Sequence, residues 1–219
     1  MPPTPTELET LRDHLSSKGV AYLMASFADM HGVSKTKMVP LSHIDQMMAG
    51  SELYTGAALD GVPQDVSDEE VAAHPDPQSC IILPWQTDVA WFASNLWCEG
   101  KPFDACSRNI LARATQAAAD MGFVMNLGME AEFYVLKDSE ADVVPVSDRD
   151  TLDKPCYDGY GALENLHWLS ELVGAMDDLG WDVYSFDHED GNGQFEVDFR
   201  FADAMTMADR FVFLRMMAN

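Results

Sequence analysis

Residues 183–201 carry a pattern that few folds can accommodate. After Gly191-Asn192-Gly193, aromatic or aliphatic residues occupy every odd position from 195 to 201, and polar residues occupy every even position from 194 to 200. Successive side chains of a β-strand point to opposite faces of its sheet, so this alternation predicts a strand with one buried face and one polar face. A Gly-Asn-Gly sequence between two such segments predicts an antiparallel hairpin.

The polar face of this hairpin is rich in carboxylates. Asp187 and Glu189 share one face before the turn, and closure of the hairpin brings Glu189 close to Glu196. An earlier segment places Glu130 and Glu132 two residues apart, where strand geometry sets them on one face, about 6.5–7 Å from each other. Neighbouring carboxylates repel, so such groups need a cation or a bound proton.

The donor chemistry of these segments suggests a class of ligand. Clusters that offer only oxygen atoms suit hard cations such as Mg²⁺ or Mn²⁺. Divalent ions on a carboxylate-rich face are typical of phosphoryl transfer, where they neutralise phosphate charge. Each segment alone is more typical of a half-buried strand that turns polar residues to water, or of a solvated acidic turn. The two together favour a metal site, but the pattern by itself names no reaction.

Motifs and charge narrow the functions further. The sequence has neither a G-x-x-x-x-G-K-[ST] loop nor a G-x-G-x-x-G turn, so a bound nucleotide would be held through metal ions rather than a glycine cradle. With 37 acidic residues against 13 Lys and Arg, the net charge is −24, which disfavours nucleic acids and anionic membranes as partners. The same charge fits an ordinary acidic surface or adaptation to a salty medium.

Nothing in the sequence predicts passage into or across a membrane. No run of about 18 apolar residues occurs, and Met1–Thr6 lacks the basic-then-apolar pattern of a signal peptide. The four cysteines form no C-x-x-C pair, so we expect free structural thiols in a protein of the reducing cytoplasm.

Hydrophobic periodicity and turn residues predict an α+β fold. The first helix is predicted at 6–18, with Thr6 and Glu9 as its capping box. Further helices are predicted from 104 or 107 to 121, with Ile110 and Met121 on its apolar face, at 163–179, and from the N-cap Asp203 to the end of the chain; strands are predicted at 20–27, 35–39, 81–83, 89–92 and 123–136, and a polar loop at 137–160.

At the two carboxylate segments the chain resembles the glutamine synthetase superfamily. Members carry an E-x-E-F strand and an E-x-x-x-G-Q-x-E hairpin that supply ligands to two divalent ions. Residues 128–133 match the first motif, with Met129 where members usually have Pro, and residues 189–196 match the second.

The resemblance implies a role for each glutamate. Glu132, Glu189 and Glu196 resemble the ligands of the tighter ion, Mg²⁺ or Mn²⁺. Glu130 resembles a ligand of the second ion, which handles the phosphates of ATP. Glu132 and Glu189 would also bind substrate, since they face the amino group of bound L-glutamate in the family.

The resemblance covers essentially the whole chain and implies two domains. Residues 1–103, including 27–35, resemble the family's small β-grasp domain, and residues 104–219 resemble the first half of its catalytic domain, an antiparallel sheet with helices. The last helical pattern runs to Asn219 without a stop signal, and the histidine and arginine segments of the family's later half do not occur, so we expect a truncated chain. Members form hexameric rings, often stacked into dodecamers, which implies a homo-oligomer.

Within the superfamily, the γ-glutamylmethylamide synthetases (glutamate–methylamine ligases) resemble the chain best, in segments 82–86, 151–158 and 187–196. This likeness implies an enzyme that uses ATP to convert L-glutamate to γ-glutamyl phosphate and then transfers the γ-glutamyl group to methylamine. Three alternatives stay open: a glutamine synthetase that uses ammonia, a ligase for polyamines, and a non-catalytic protein with a metal-stabilised hairpin.

Asp60 is the candidate residue for the amine site. Glutamine synthetases commonly carry Asp-Gly-Ser-Ser on a loop of the N-terminal domain, where the Asp helps to bind ammonium at a neighbouring subunit's active site. The corresponding sequence is Asp60-Gly61-Val62-Pro63. The resemblance implies this catalytic role for Asp60, and the altered loop leaves room for an amine larger than ammonia. The alternative is that Asp60-Gly61 is only a turn.

Overall fold

The computed structural model describes residues 3–139 and 143–219. The predictions made for Met1–Thr6 and for the loop 137–160 therefore lie partly outside the described residues. The chain forms two compact units. The first unit contains the chain up to Met125 together with Asp203–Met217, and the second unit contains Asn126–Ala202. No helix in the described part of the chain has the length and hydropathy needed to cross a lipid bilayer.

The helices and strands of both units are as follows. The α-helices of the described residues are α1 (Pro5–Ser17), α2 (Ile44–Met48), α3 (Ser107–Asp120), α4 (Gly159–Glu164), α5 (Leu166–Asp178) and α6 (Ala204–Met217). The strands are β1 (Tyr22–Ala28), β2 (Ser34–Pro40), β3 (Glu52–Tyr54), β4 (Val71–Pro75), β5 (Ile81–Leu83), β6 (Gln86–Cys98), β7 (Lys101–Pro102), β8 (Asn126–Leu127), β9 (Glu130–Tyr134), β10 (Val183–His188), β11 (Gln194–Phe199) and β12 (Ala202–Asp203).

A seven-stranded mixed sheet organises the first unit. Its strands follow the order β2-β1-β6-β4-β3, and β5 and β7 also pair with β6. Strands β1 and β6 run parallel, whereas β1 and β2 form an antiparallel pair. Strand β6 is much longer than the predicted 89–92, because it pairs with β1 and β5 in its first part and with β4 and β7 in its second. The polar Asn95 inside it donates a hydrogen bond to Asn109 and accepts one from Arg108.

The first helix differs slightly from its prediction. It begins at Pro5, and its capping box uses Thr4 and Glu7 rather than Thr6 and Glu9. The backbone N–H of Glu7 donates to Thr4 Oγ1 at 3.3 Å, and the Glu7 carboxylate accepts from the N–H of Thr4 at 2.7 Å. Proline is favoured at the first helical position because its missing N–H would have no partner there, which explains the earlier start.

Helix α3 turns a different face to the protein from the one predicted. Ile110 and Met121, from the predicted apolar face, are 50% and 73% exposed. The buried side carries Asn109, whose side-chain amide donates to the carbonyl oxygen of Leu96 at 2.8 Å. A buried amide needs hydrogen-bond partners. The orientation of α3 about its axis therefore depends on Asn109, a polar residue that an analysis of apolar periodicity does not detect.

The second unit contains a three-stranded antiparallel sheet in the order β10-β11-β9. Its apolar face is covered by helix α5, where the Trp168 ring lies 4.9 Å from the Phe195 ring and perpendicular to it. The long strand predicted at 123–136 is wrong, because two short strands, β8 and β9, flank Gly128.

The helix predicted at 163–179 is also two helices, α4 and α5, which meet at Asn165. The Asn165 side chain is buried, donates to the carbonyl oxygen of Gly161 at 2.9 Å and accepts from Trp168 Nε1 at 3.0 Å. This side chain thus supplies local hydrogen bonds on both sides of the break, a role in which asparagine competes with a continuous helix.

The mixed class of helices and sheets is confirmed, whereas the domain limits stay a prediction. Helices α3 and α6 both fall within the predicted domain 104–219 but belong to the first unit. Phe213 of α6, for example, packs edge-on against Trp91 of β6 with ring centroids 5.4 Å apart. The boundary between the compact units therefore differs from the one predicted at 103/104, and the β-grasp-like domain 1–103 also remains a prediction.

Candidate metal centre

The three strands of the second unit place their acidic residues in register. Glu196 on the central strand β11 lies opposite Glu132 on β9 and opposite Asp187 on β10. Two residues further along β11, Asp198 lies opposite Glu130 of β9. Because side chains directly opposite each other in a sheet share a face, these carboxylates line one surface, as the sequence pattern predicts.

Asp187, Glu189 and Glu196 form a close group on this face, in which one carboxylate oxygen of each residue lies within 4.8 Å of those of the other two. Glu189 follows β10 directly, and its backbone N–H donates to the carbonyl oxygen of Gln194 at 2.9 Å, which extends the hairpin by one pair. The predicted approach of Glu189 to Glu196 is therefore present. We call these three residues the carboxylate triad.

Glu132 and Glu130 lie on the same face but outside the triad. Glu132 accepts a hydrogen bond from the side-chain amide of Gln194, and both glutamates are exposed. Asp187 is the third member of the triad, and the metal-ligand roles of Glu132 and Glu130 stay predictions. The sequence signal for Asp187 is its spacing of two residues from Glu189, which places both on one strand face, but the residue was not among the predicted ligands.

Two residues of the carboxylate triad, Glu196 and Asp187, have raised pKa values. Burial raises the pKa of Glu196 to about 7, and the negative charge of Asp198, a hydrogen bond with Glu189 and the charges of Glu189 and Glu132 act in the same direction. Burial and the charges of Glu189 and Asp198 also raise the pKa of Asp187. Carboxylates in this situation either hold a proton or bind a cation.

One oxygen atom points to a cation directly. Asp187 Oδ2 is buried and has no hydrogen-bond partner among the described residues. A buried carboxylate oxygen without a partner is costly, and coordination to a metal ion would satisfy it. An all-oxygen donor set fits Mg²⁺ or Mn²⁺ better than softer metals, so these residues fit the divalent ions implied by the family resemblance.

Behind the acidic face lies a buried contact between a histidine and an aspartate. His188 is 1% exposed, and its Nε2 lies 2.7 Å from Asp150 Oδ2, a carboxylate that is 5% exposed. Its Nδ1 lies 2.8 Å from the carbonyl oxygen of Glu189. His188 was expected to be structural, but its partner Asp150 lies 38 residues away in the segment predicted as a loop and could not be identified from spacing.

Asp60 lies elsewhere, in the first unit. It occupies a turn with Gly61, its side chain is 82% exposed, and its carboxylate is 3.8 Å from His31 Nε2. Gly61 has a φ of 75°, a conformation that favours glycine. The turn of the alternative interpretation is thus present, and the catalytic role of Asp60 stays a prediction.

Comparison with known proteins agrees with the carboxylate pattern. The family described as glutamine synthetase, catalytic domain, matches residues 104–219. The glutamate–methylamine ligase of Methyloversatilis universalis is 35% identical over 203 residues, which are 92% of this chain and 46% of that protein. A glutamine synthetase of Rhizobium leguminosarum bv. phaseoli is also 35% identical, over 205 residues, with the same two coverages.

A solved structure of a GmaS/ADP complex has the same fold. It matches with a TM-score of 0.90 at 34% identity, over 94% of this chain and 47% of that chain. The chain spans about half the length of the curated relatives it matches.

Proposed function

Because this chain belongs to the glutamine synthetase family, we propose that the protein carrying it is an ATP-dependent ligase that joins the γ-carboxylate of L-glutamate to a small amine, with methylamine preferred. The products are γ-N-methylglutamine, ADP and phosphate. The observation that carries this proposal is the register of β9, β10 and β11, which sets Glu132, Glu196 and Asp187 side by side on one polar face.

The acidic face is proposed to hold two divalent ions. Glu132, Glu189 and Glu196 would hold the first ion, and Glu130 would contribute to the second. Asp187 adds a carboxylate beside Glu189 and Glu196. A bound Mg²⁺ or Mn²⁺ would supply positive charge that neutralises the phosphoryl group during its transfer.

The chain's own residues then orient the reactants. Glu132 and Glu189 bind the ammonium group of L-glutamate, which directs its γ-carboxylate toward the γ-phosphate of ATP. Attack there forms γ-glutamyl phosphate and releases ADP. The neutral amine next attacks the γ-carbonyl carbon, and phosphate leaves. Asp60, with its exposed carboxylate, is proposed to act at a neighbouring subunit's active site, where it binds the incoming amine as its cation and takes up its proton.

The choice of methylamine is supported by the ligase of M. universalis and by the likeness of segments 82–86, 151–158 and 187–196. The second candidate is glutamine synthesis from ammonia, because the Rhizobium glutamine synthetase is equally similar. The two candidates share the metal site and differ only in the amine, so one assay separates them. Assembly into hexameric rings is a further proposal that rests on the family resemblance.

The test is phosphate release by the full-length protein from ATP and L-glutamate with Mg²⁺, with methylamine or ammonium as the amine. We expect turnover with both amines and at least a tenfold higher kcat/KM for methylamine, a difference of about 1.4 kcal/mol in transition-state binding. A preference for ammonium would establish the second candidate. Phosphate release with neither amine, in protein that binds Mn²⁺, would contradict both candidates and favour either a ligase for another amine, such as a polyamine, or the non-catalytic alternative.

A further inference from the structure

A loop outside the acidic face is hydrogen-bonded to the segment that carries Glu189, one of the proposed metal ligands. Residues 150–158, which we call the brace loop, contact the turn that follows β10 through both of their ends. At one end, Asp150 accepts hydrogen bonds from His188 Nε2 at 2.7 Å, Asn192 Nδ2 at 2.9 Å and the backbone N–H of Gly193. At the other end, the N–H of Tyr157 donates to the carbonyl oxygen of His188 at 2.8 Å.

His188 connects the brace loop to Glu189. Its Nδ1 lies 2.8 Å from the carbonyl oxygen of Glu189, while its Nε2 faces the Asp150 carboxylate. Both ring nitrogens therefore lie within hydrogen-bond distance of an oxygen atom. The contact between Nε2 and the Asp150 carboxylate is buried, since the two side chains are 1% and 5% exposed.

The His188 ring has little room to move. A methyl group on Gly161 would lie 2.7 Å from His188 Cδ2, so the ring packs directly against the glycine backbone. The ring also meets Phe195 at a centroid distance of 5.0 Å in an edge-on contact. The position of Nδ1, and of the Glu189 carbonyl group bound to it, is therefore set by the packing of the second unit.

The Glu189 side chain is also held by contacts with the brace loop and with the residue that follows it. Its Oε2 accepts from the N–H of Asp190 at 3.1 Å and lies 3.8 Å from the thiol of Cys156, a residue of the brace loop. These contacts oppose the repulsion between the carboxylates of Glu189 and Asp187, in addition to the hydrogen bond between Glu189 and Glu196.

We propose that Asp150 and His188 are positioning residues that hold Glu189 at the distance from Asp187 and Glu196 that a divalent ion requires. This inference rests on the metal site of the proposed function, and it assigns a purpose to the segment 151–158. Partners behind the ligands of a metal typically change its affinity by about 10- to 100-fold when they are removed.

The test is Mn²⁺ binding by the full-length protein, measured as free Mn²⁺ by electron paramagnetic resonance at a temperature where every variant is folded. Asp150→Asn is nearly isosteric, but its single oxygen cannot accept all three hydrogen bonds. We expect its Kd for Mn²⁺ to rise by about 10- to 100-fold. The matched control is Asp148→Asn, which removes the same charge from an 88% exposed carboxylate nearby, and its Kd should stay within twofold of wild type.

A thermodynamic cycle separates positioning from a general structural role. In a Glu189→Gln background, Asp150→Asn should weaken Mn²⁺ binding by less than threefold, because the residue it positions is already altered. Equal losses in both backgrounds would overturn the proposal. So would a lower melting temperature for Asp150→Asn with an unchanged Kd. Should Asp150→Asn not fold, His188→Gln takes its place in the same cycle with the same expected losses.

The outcome is distinguishable from failure of the proposed function. Wild-type protein that binds no Mn²⁺ would refute both the metal site and its positioning. Wild-type protein that binds Mn²⁺ but releases no phosphate with any amine would refute the ligase alone, and the Asp150 result would still decide the positioning role.

Discussion

Glu196 has an acidic residue opposite it on each neighbouring strand, Glu132 on one side and Asp187 on the other. Its backbone position follows from the alternation along β11, but its electrostatic state follows from residues far away in the chain. Burial is the largest cause of its raised pKa, and the surrounding carboxylates add to it. Burial and the neighbouring carboxylates disfavour the ionised form of Glu196 when no cation is present. The same surroundings favour the binding of a cation.

The raised pKa predicts a pH-dependent stability. The pKa of Glu196 is about 7 in the folded chain against an ordinary value of 4.5, so the folded state holds the proton more tightly, and stability falls as the pH rises from about 4.5 to 7. With a chelator present, Glu196→Gln should leave stability unchanged near pH 4 and raise it above pH 7 by about 1 kcal/mol, after allowance for solvent screening.

Thermal unfolding at both pH values, with the exposed Glu171→Gln as the control, measures this effect. Saturating Mn²⁺ should reverse the sign above pH 7, because the variant then lacks a ligand. A variant that is destabilised by the same amount at both pH values without metal would show that Glu196 acts through packing rather than charge.

At the scale of elements, buried polar side chains determine how the helices pack. Arg108 of helix α3 is hydrogen-bonded to Asp209 of helix α6. Its Nε and Nη2 donate to the two carboxylate oxygens of Asp209, each at 3.0 Å. Nη2 also donates to Asp76 Oδ2 at 2.7 Å. The Arg108 and Asp209 side chains are only 12% and 15% exposed. Burial raises the pKa of Asp209 even with Arg108 beside it.

Loss of the Arg108 side chain should therefore be costly. We expect Arg108→Ala to destabilise the full-length protein by about 3–5 kcal/mol, since it leaves the buried Asp209 carboxylate without its partner. Arg113→Ala in the same helix is the matched control, because Arg113 is 53% exposed and its partner Asp104 is 96% exposed; about 0.5 kcal/mol or less is expected there. Urea unfolding of both variants measures the difference, and equal midpoints would contradict the importance of the buried pair.

At the scale of the whole molecule, the dominant property is the charge of −24. Self-repulsion of this size destabilises the compact state, and salt screens it, since the Debye length falls from about 10 Å at 0.1 M to about 3 Å at 1 M. We expect the melting temperature of the metal-free protein to rise by about 5 °C between 0.05 and 1 M KCl.

Differential scanning calorimetry across a KCl series is the measurement. Sucrose at matched osmolality is the control, because it is excluded from the protein surface without screening charge. A melting temperature that stays constant or falls as the KCl concentration rises would mean that the fold already balances the repulsion between the acidic residues.

The sequence by itself determined the features that depend on neighbours along the chain. Strand alternation predicted the hairpin and its acidic face, because side chains two residues apart on a strand share a face. The motifs around Glu130 and Glu189 likewise predicted the family, since the spacing of carboxylates along two strands is a local property.

Tertiary structure alone decided what depends on partners distant in sequence. The buried amide of Asn109 set the rotation of α3 against its apolar periodicity, and Asn165 divided a helix that periodicity made continuous. Asp187 joined the triad through cross-strand register, and Asp150 reached His188 across 38 residues. Such contacts follow from how folded elements bring buried polar groups together, and no local spacing in the chain encodes that.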